Sequence, residues 1–295
     1  MRVGNIQATE KKKGGLNFKE SVAGFAAGSA ASVASLPIGI PIINKMGKIA
    51  STLNPSEINS LNQASETILN TTGLKNMGVD IVDIKNVPNL TSMPDKVAEL
   101  LDPVIGTANG KNAFFTDKAI GNIIGGNKIG INKQKLPTAA FHEIGHALNY
   151  NKSGFWRTMQ KLRMPGMLIG SGLILFNVLT KKTKPKEGEE LSKGQKIKNW
   201  VRDKSGFLAF GAMVPMLAEE AAASIKGCKL AKEALKATPE LYKKVAKTNK
   251  VAYLTYLTSA AVVGLAAFVT AKVKDKLVEK KEAKLQQQNV KSTHA

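Results

Sequence analysis

Residues 251 to 271, from Val-Ala-Tyr to Val-Thr-Ala, carry no charged side chain over their whole length. As a helix rising 1.5 Å per residue, a run of that length extends about 31 Å, enough to cross a hydrocarbon core of about 30 Å. A transmembrane helix is expected there. Two earlier apolar blocks are less decisive. Met164 to Thr180 is at the short end for a span, and Gly206 to Ala218 spans only if its helix begins before Gly206 or the bilayer thins locally. Burial as core helices is the plain alternative for both. Residues 21 to 43 are rich in Ala, Gly and Ser and are broken by Pro37 and Pro41. They start too late and hold too little leucine for a secretory signal, so segment 21–55 is expected to form a buried or interfacial hairpin, with spanning as the runner-up.

The charge pattern agrees with a bilayer surface. Lys and Arg number 43 against 22 Asp and Glu, a formal net charge of +21. A lysine-rich loop occupies 181–204, a basic helical segment is expected over 226–250, basic residues mark 1–20, and a basic polar tail is expected over 272–295. Basic stretches flank the apolar blocks on both sides, so the positive-inside rule assigns no orientation. Membrane lipids are expected partners. Nucleic acid is not, because aromatics are only 5% of the chain and nowhere alternate with basic residues as base stacking requires. Cys228 is the single cysteine, so an intrachain disulfide and a cysteine-based metal cage are both excluded. With no histidine near it in sequence, Cys228 reads as non-catalytic.

Between these blocks lies mixed structure. Ile58, Leu61, Ile68 and Leu69 recur at helical spacing, and Pro88, Pro94 and Pro103 then punctuate shorter apolar pieces. Asn112–Thr116 and Lys128–Asn132 read as short strands across a loop containing Gly121, Gly125 and Gly126. Pro137 suits the first turn of a helix, and no breaker follows before Tyr150. The expected class is α+β, mainly helical, with a small sheet and membrane-associated helices.

That last helix carries His142-Glu143-Ile144-Gly145-His146. Histidines four apart project from one helix face a turn apart, so both imidazoles can reach one Zn²⁺ at about 2.0 to 2.1 Å. Glu143, on the adjoining surface, is placed to take a proton from a water the metal activates and pass it to a leaving amine. The pattern arises by chance in roughly one chain per hundred of this length. Here two of only three histidines fall in it, among the uncharged neighbours Ala139, Ala140, Ala147 and Leu148.

A third ligand must come from elsewhere. A metzincin would carry glycine and histidine where this chain has Asn149 and Lys152, and His294 lies in the polar tail. A carboxylate remains. Glu187, Glu189, Glu190 and Asp203 sit among lysines and read as solvated charge, whereas Glu219 and Glu220 stand in the apolar run Met216–Ile225. A carboxylate there is costly unless a cation compensates it; zinc would do so, and a salt bridge to Lys226 or another amine is the bland alternative.

These residues resemble the gluzincins, in which HExxH is completed by a glutamate on a later helix that often reads Glu-x-x-Ala/Ser-Asp. Aligned so, Glu220-Ala221-Ala222-Ala223-Ser224 makes Glu220 the third ligand and puts Ser224, in place of aspartate, beside a zinc-bound histidine. Glu219 stays the alternative. The order of elements also resembles the membrane-embedded heat-shock peptidase and CAAX prenyl protease group over roughly residues 110 to 225. That resemblance implies a zincin-like catalytic part over 56–163 and an apolar hairpin over 164–225 that returns Glu220 to His142 and His146. It further implies zinc as cofactor, peptide or membrane-protein substrates, and a location in or tightly on a membrane such as a bacterial inner membrane. The expected activity is a zinc-dependent endopeptidase; a non-enzymatic basic membrane protein is the rival. Tyr150, Tyr242 and Lys152 are available as oxyanion stabilisers, without a choice among them.

Overall fold

The computed structural model describes residues 18–34, 45–85, 107–117, 126–185 and 188–293. Residues 1–17 and 35–44, the three prolines between 88 and 103, Gly121, Gly125, Glu187 and His294 lie outside them. Among the described residues the chain is mainly helical with one small sheet.

Helix α1 spans Phe18–Ala34 and α2 spans Pro55–Thr71. Asn54 caps α2 through a reciprocal pair of bonds with Glu57, and Pro55 fills the first turn, where its missing N–H costs nothing. Leu61, Ala64, Ile68 and Leu69 form the buried face of α2, as their helical spacing requires. Strands β1 (Asp80–Asp83), β2 (Phe114–Thr116) and β3 (Lys128–Ile131) follow. Their order is β1-β3-β2, with β1 parallel and β2 antiparallel to β3, so Ile129 is paired to Ile81 on one side and Phe115 on the other. The two strands read from sequence are both present, slightly shorter; β1 is a third, inside the segment read as mixed structure.

A 3₁₀ turn at Pro137–Ala139 leads into α3, Ala140–Lys152, the motif helix. Ser153 is extended, ends α3 and caps α4 (Gly154–Lys161) by accepting from the Trp156 N–H. Then come α5 (Arg163–Leu179), α6 (Lys193–Ala212), α7 (Val214–Ala234) and α8 (Pro239–Thr293). Among the described residues three stretches are long and apolar enough to cross a membrane: Gly154–Leu179, Lys193–Ala234 and Pro239–Asn289. The second meets the condition set for the 206–218 block, since its helix begins thirteen residues earlier, at Lys193.

The C-terminal region differs from the sequence reading. Residues 226–234 of the basic segment close α7, while its remainder from Pro239, the apolar run and the polar tail as far as Thr293 are one helix of 55 residues, α8. Residues 272 to 293 are Lys, Glu, Ala, Leu and Gln for the most part, with no Gly or Pro, so nothing stops the helix once it leaves the apolar run. Its far end also has a partner: α1 packs along it, with Glu20 paired to Lys281 at 2.9 Å and Gly24 close against Lys274.

The soluble core gathers Leu61, Ile68, Leu69, Ile129, Ile131, Phe141 and Ile144, all nearly or wholly buried, with Ala231, Leu235 and Val245 from α7, the turn after it and α8. Each large side chain removed from water there contributes about 1.5–3 kcal/mol. The motif helix is thus clamped between the sheet layer and α7.

Candidate metal centre

Two close backbone approaches set the geometry. A Cβ on Gly145 would lie 2.1 Å from the Ala223 carbonyl oxygen, and one on Gly227 would lie 2.2 Å from that of Phe141. Glycine at both points, with the alanines between, lets α3 and α7 approach more closely than any side chain allows. This brings the imidazoles of α3 onto the carboxylates of α7.

His142 Nε2, His146 Nε2 and Glu220 Oε2 converge on one point. The separations are 3.1 Å between the rings, 3.0 Å from His142 to Glu220 and 3.3 Å from His146 to Glu220. Tetrahedral zinc with bonds of about 2.0–2.1 Å holds its ligand atoms about 3.3 Å apart, so the triangle fits such an ion. The far side of each ring fixes its tautomer. His146 Nδ1 donates to Glu219 Oε1 at 2.8 Å, so a neutral His146 keeps its lone pair on Nε2. Ser224 Oγ lies 3.1 Å from His142 Nδ1 and 3.4 Å from the Asn249 carbonyl. With its proton on the carbonyl, the hydroxyl accepts from His142 Nδ1, and His142 then turns an unprotonated Nε2 inward. Three acceptors facing one point repel one another unless a cation or a proton lies between them.

The surrounding charges agree with a divalent ion. Arg163, opening α5, pairs with Glu219 Oε2 at 3.1 Å and with Glu220 Oε1 at 2.5 Å, the latter a charge contact without hydrogen-bond alignment. Glu219 and Glu220 share the Arg163 guanidinium, which leaves negative charge for a metal ion, or a proton on His146, to balance. All four acid and histidine positions facing the point are buried, as is Glu219. His142, Glu143 and His146, together with Glu219 and Glu220, could therefore hold a metal ion. Burial pushes the Glu143 carboxyl above its ordinary range, only partly offset by the two histidines. Burial also works against a charge on His146, but the Glu220 and Glu219 carboxylates outweigh it and hold that imidazole well above the usual histidine range.

Glu143 and His142 also line a cavity of about 50 Å³, together with Ala139, Thr248, Ala252 and Tyr256. That is room for a few waters. Thr248 Oγ1 lies 3.0 Å from Thr138 Oγ1, which ties α8 to the turn before the motif.

The structure brings His142, Glu143, His146 and Glu220 into one cluster and sets Glu219 behind His146 rather than at the point of convergence. Ser224 stands against His142, where the gluzincin resemblance puts it. The salt bridge weighed for the glutamate pair is made by Arg163; Lys226 bonds instead to Asn149 Oδ1, and Asn149 Nδ2 in turn donates to Glu219 Oε1 at 2.9 Å. Of the three oxyanion candidates, Tyr150 packs against Phe115 and Arg157, Tyr242 against the soluble core, and Lys152 bonds to the Thr72 carbonyl. The tyrosine in the cavity wall is Tyr256, with the Arg163 guanidinium 5.5 Å from its ring centre. Arg163 and Tyr256 were invisible as site residues because each merely borders or interrupts an apolar run. No family model, curated protein or solved structure matches the chain, so its function has to be argued from this geometry.

Proposed function

We propose that the protein is a membrane-associated zinc endopeptidase with a zincin-like, gluzincin-type centre. In it His142, His146 and Glu220 hold the ion and Glu143 acts as general base. The observation that carries this reading is the 3.0–3.3 Å triangle of His142 Nε2, His146 Nε2 and Glu220 Oε2, with each ring's outer nitrogen engaged by Glu219 or Ser224. Zinc held there would supply Lewis acidity toward a peptide carbonyl and toward a water.

The chain's own residues supply the rest. Glu143 borders the cavity beside His142, and the raised affinity of its carboxyl for a proton suits a group that must take one from water and deliver it to the departing amine. Tyr256 lines the same cavity and can donate its hydroxyl to an oxygen that gains charge. Glu219 and Arg163 hold His146 and Glu220 in place. A cavity that admits only a few waters must widen for a peptide to enter. The substrates are peptide segments of membrane proteins or segments at the bilayer surface, because Arg163, Glu220 and Tyr256, which meet the motif helix at the centre, lie on stretches able to enter lipid.

A second reading draws on one contact. Arg163 already pairs with both glutamates, and a basic membrane protein without activity could keep that network as a structural clamp. Elemental analysis of the full-length protein in detergent separates the two. Near-stoichiometric zinc in wild type, lost in His146→Ala, is expected; Glu143→Gln should keep zinc and lower peptide cleavage by about 10²–10⁴-fold. No zinc in the wild type after zinc is supplied would leave only the structural clamp.

A further inference from the structure

α6 and α8 leave an open groove of about 550 Å³ between them. Its walls are apolar throughout: Gly206, Phe207 and Phe210 on α6, with Gly264, Leu265 and Phe268 on α8. Both walls belong to stretches able to cross a membrane, and Phe207 is 78% exposed. A turn beyond the groove each wall changes character. Asp203 continues the α6 face and Lys272 the α8 face, with the Lys272 ammonium 5.8 Å from the Phe268 ring centre and 3.8 Å from Asp203. Lys182, from the α5–α6 loop, pairs with the same Asp203 at 2.8 Å. Two ammonium groups thus share one carboxylate, and one unit of positive charge is unmatched at the end of an apolar trough.

We propose that this groove is a binding site for one anionic phospholipid, its acyl chain along Phe207, Leu265 and Phe268 and its phosphate at Lys272 and Lys182. The charge at the end selects the occupant. A second copy of the chain would bring the same basic rim against its own, a like-charge contact that costs affinity. An uncharged transmembrane helix would fill the trough and leave the ammonium pair without a counter-charge. An anionic lipid satisfies both halves, apolar burial along the groove and a phosphate for the excess ammonium.

The test is native mass spectrometry of the full-length protein in detergent, titrated with phosphatidylglycerol or with phosphatidylcholine of the same chains. The wild type is expected to bind one phosphatidylglycerol about tenfold more tightly than phosphatidylcholine. Lys272→Glu should abolish that preference while still binding either lipid. Ala261→Phe, which fills the groove from its exposed wall, should weaken both lipids about equally, and Phe207→Ala, which removes a wall from the surface without touching the core, should do so to a smaller degree. Equal binding of the two lipids by wild type would overturn the proposal, as would a preference that survives Lys272→Glu, or a protein that doubles in mass without lipid.

Discussion

Glu219 and Glu220 are adjacent and both fully buried, yet the structure gives them different tasks. Glu220 turns Oε2 to both inward nitrogens, whereas Glu219 accepts from the outer nitrogen of His146 and from Asn149. A partner that orients a ligand is worth roughly 10- to 100-fold in metal affinity, so Glu219→Gln should weaken zinc by about that much or less, since the amide oxygen can still accept from Nδ1. Glu220→Gln should exceed it. Equal losses measured by competition with a chelator would overturn this division of roles between the two carboxylates. Protonation offers a second check. In metal-stripped protein His146 is held well above its ordinary pKa by the two carboxylates, despite its burial. A raised folded-state pKa contributes stability that is fully present below the unfolded value of about 6.5 and is lost as pH rises through the folded value. The stripped protein should therefore unfold more easily as pH is raised from about 6 to 9. The zinc-loaded protein should show the opposite trend, because zinc no longer competes with a proton for His146. Parallel trends in a thermal-melt series with and without chelator would exclude His146 as a ligand.

At the scale of elements, the site depends on the contact of α3 with α7 more than on either helix alone. Gly145→Ala would force the Ala223 backbone away, with no flexible side chain to yield, at an expected destabilisation of about 3 kcal/mol or more and with loss of zinc. Gly194→Ala, in the first turn of α6 with open space around it, should instead stabilise by up to about 1 kcal/mol. Loss of zinc from the Gly194 variant, or its retention in the Gly145 variant, would show that the two helices are not the frame of the centre. Periodicity made α3 legible, because four-residue histidine spacing and a proline at its start leave no other register. The run around Glu219 and Glu220 was legible for a related reason: acids among alanines need a partner. The partner itself, Arg163, was not, since its approach depends on how α5 leaves the soluble layer. β1 was missed because Asp80-Ile-Val-Asp83 is too short to show alternation, and its strand character comes from pairing with β3, 48 residues away. The extent of α8 was missed for the converse reason: polarity marks solvent, not the end of a helix, and Lys-, Glu- and Gln-rich sequence continues one freely.

Across the whole molecule, contacts along α8 fix a direction. Tyr256 lies at the metal centre with Arg163, Ala267 accepts from Asn177, Asp275 pairs with Arg202 at 2.6 Å, and Glu282 pairs with Lys181 at 3.0 Å. From Tyr256 to Glu282 a helix rises about 39 Å, more than the hydrocarbon thickness. α5 runs the same way from Arg163 to the residues after Leu179, and α6 returns toward α7, so a bilayer crossed by these stretches would hold the candidate metal centre and residues 180–185 at opposite faces. The far end of α8 and the start of α1 join the loop, through Lys184–Glu279 and Lys281–Glu20. Lysines would then stand at both faces, which is why charge alone assigns no orientation. This arrangement predicts a labelling pattern in sealed vesicles, using single cysteines in a Cys228→Ser background. Glu189→Cys and Gln287→Cys should react with an impermeant maleimide from one side, and Asn70→Cys and Lys236→Cys, on the soluble layer, from the other. All four reacting from the same side would mean that the apolar helices lie within the molecule or along the surface, and the route by which a membrane segment reaches Glu143 would then have to be across the interface rather than from within the bilayer.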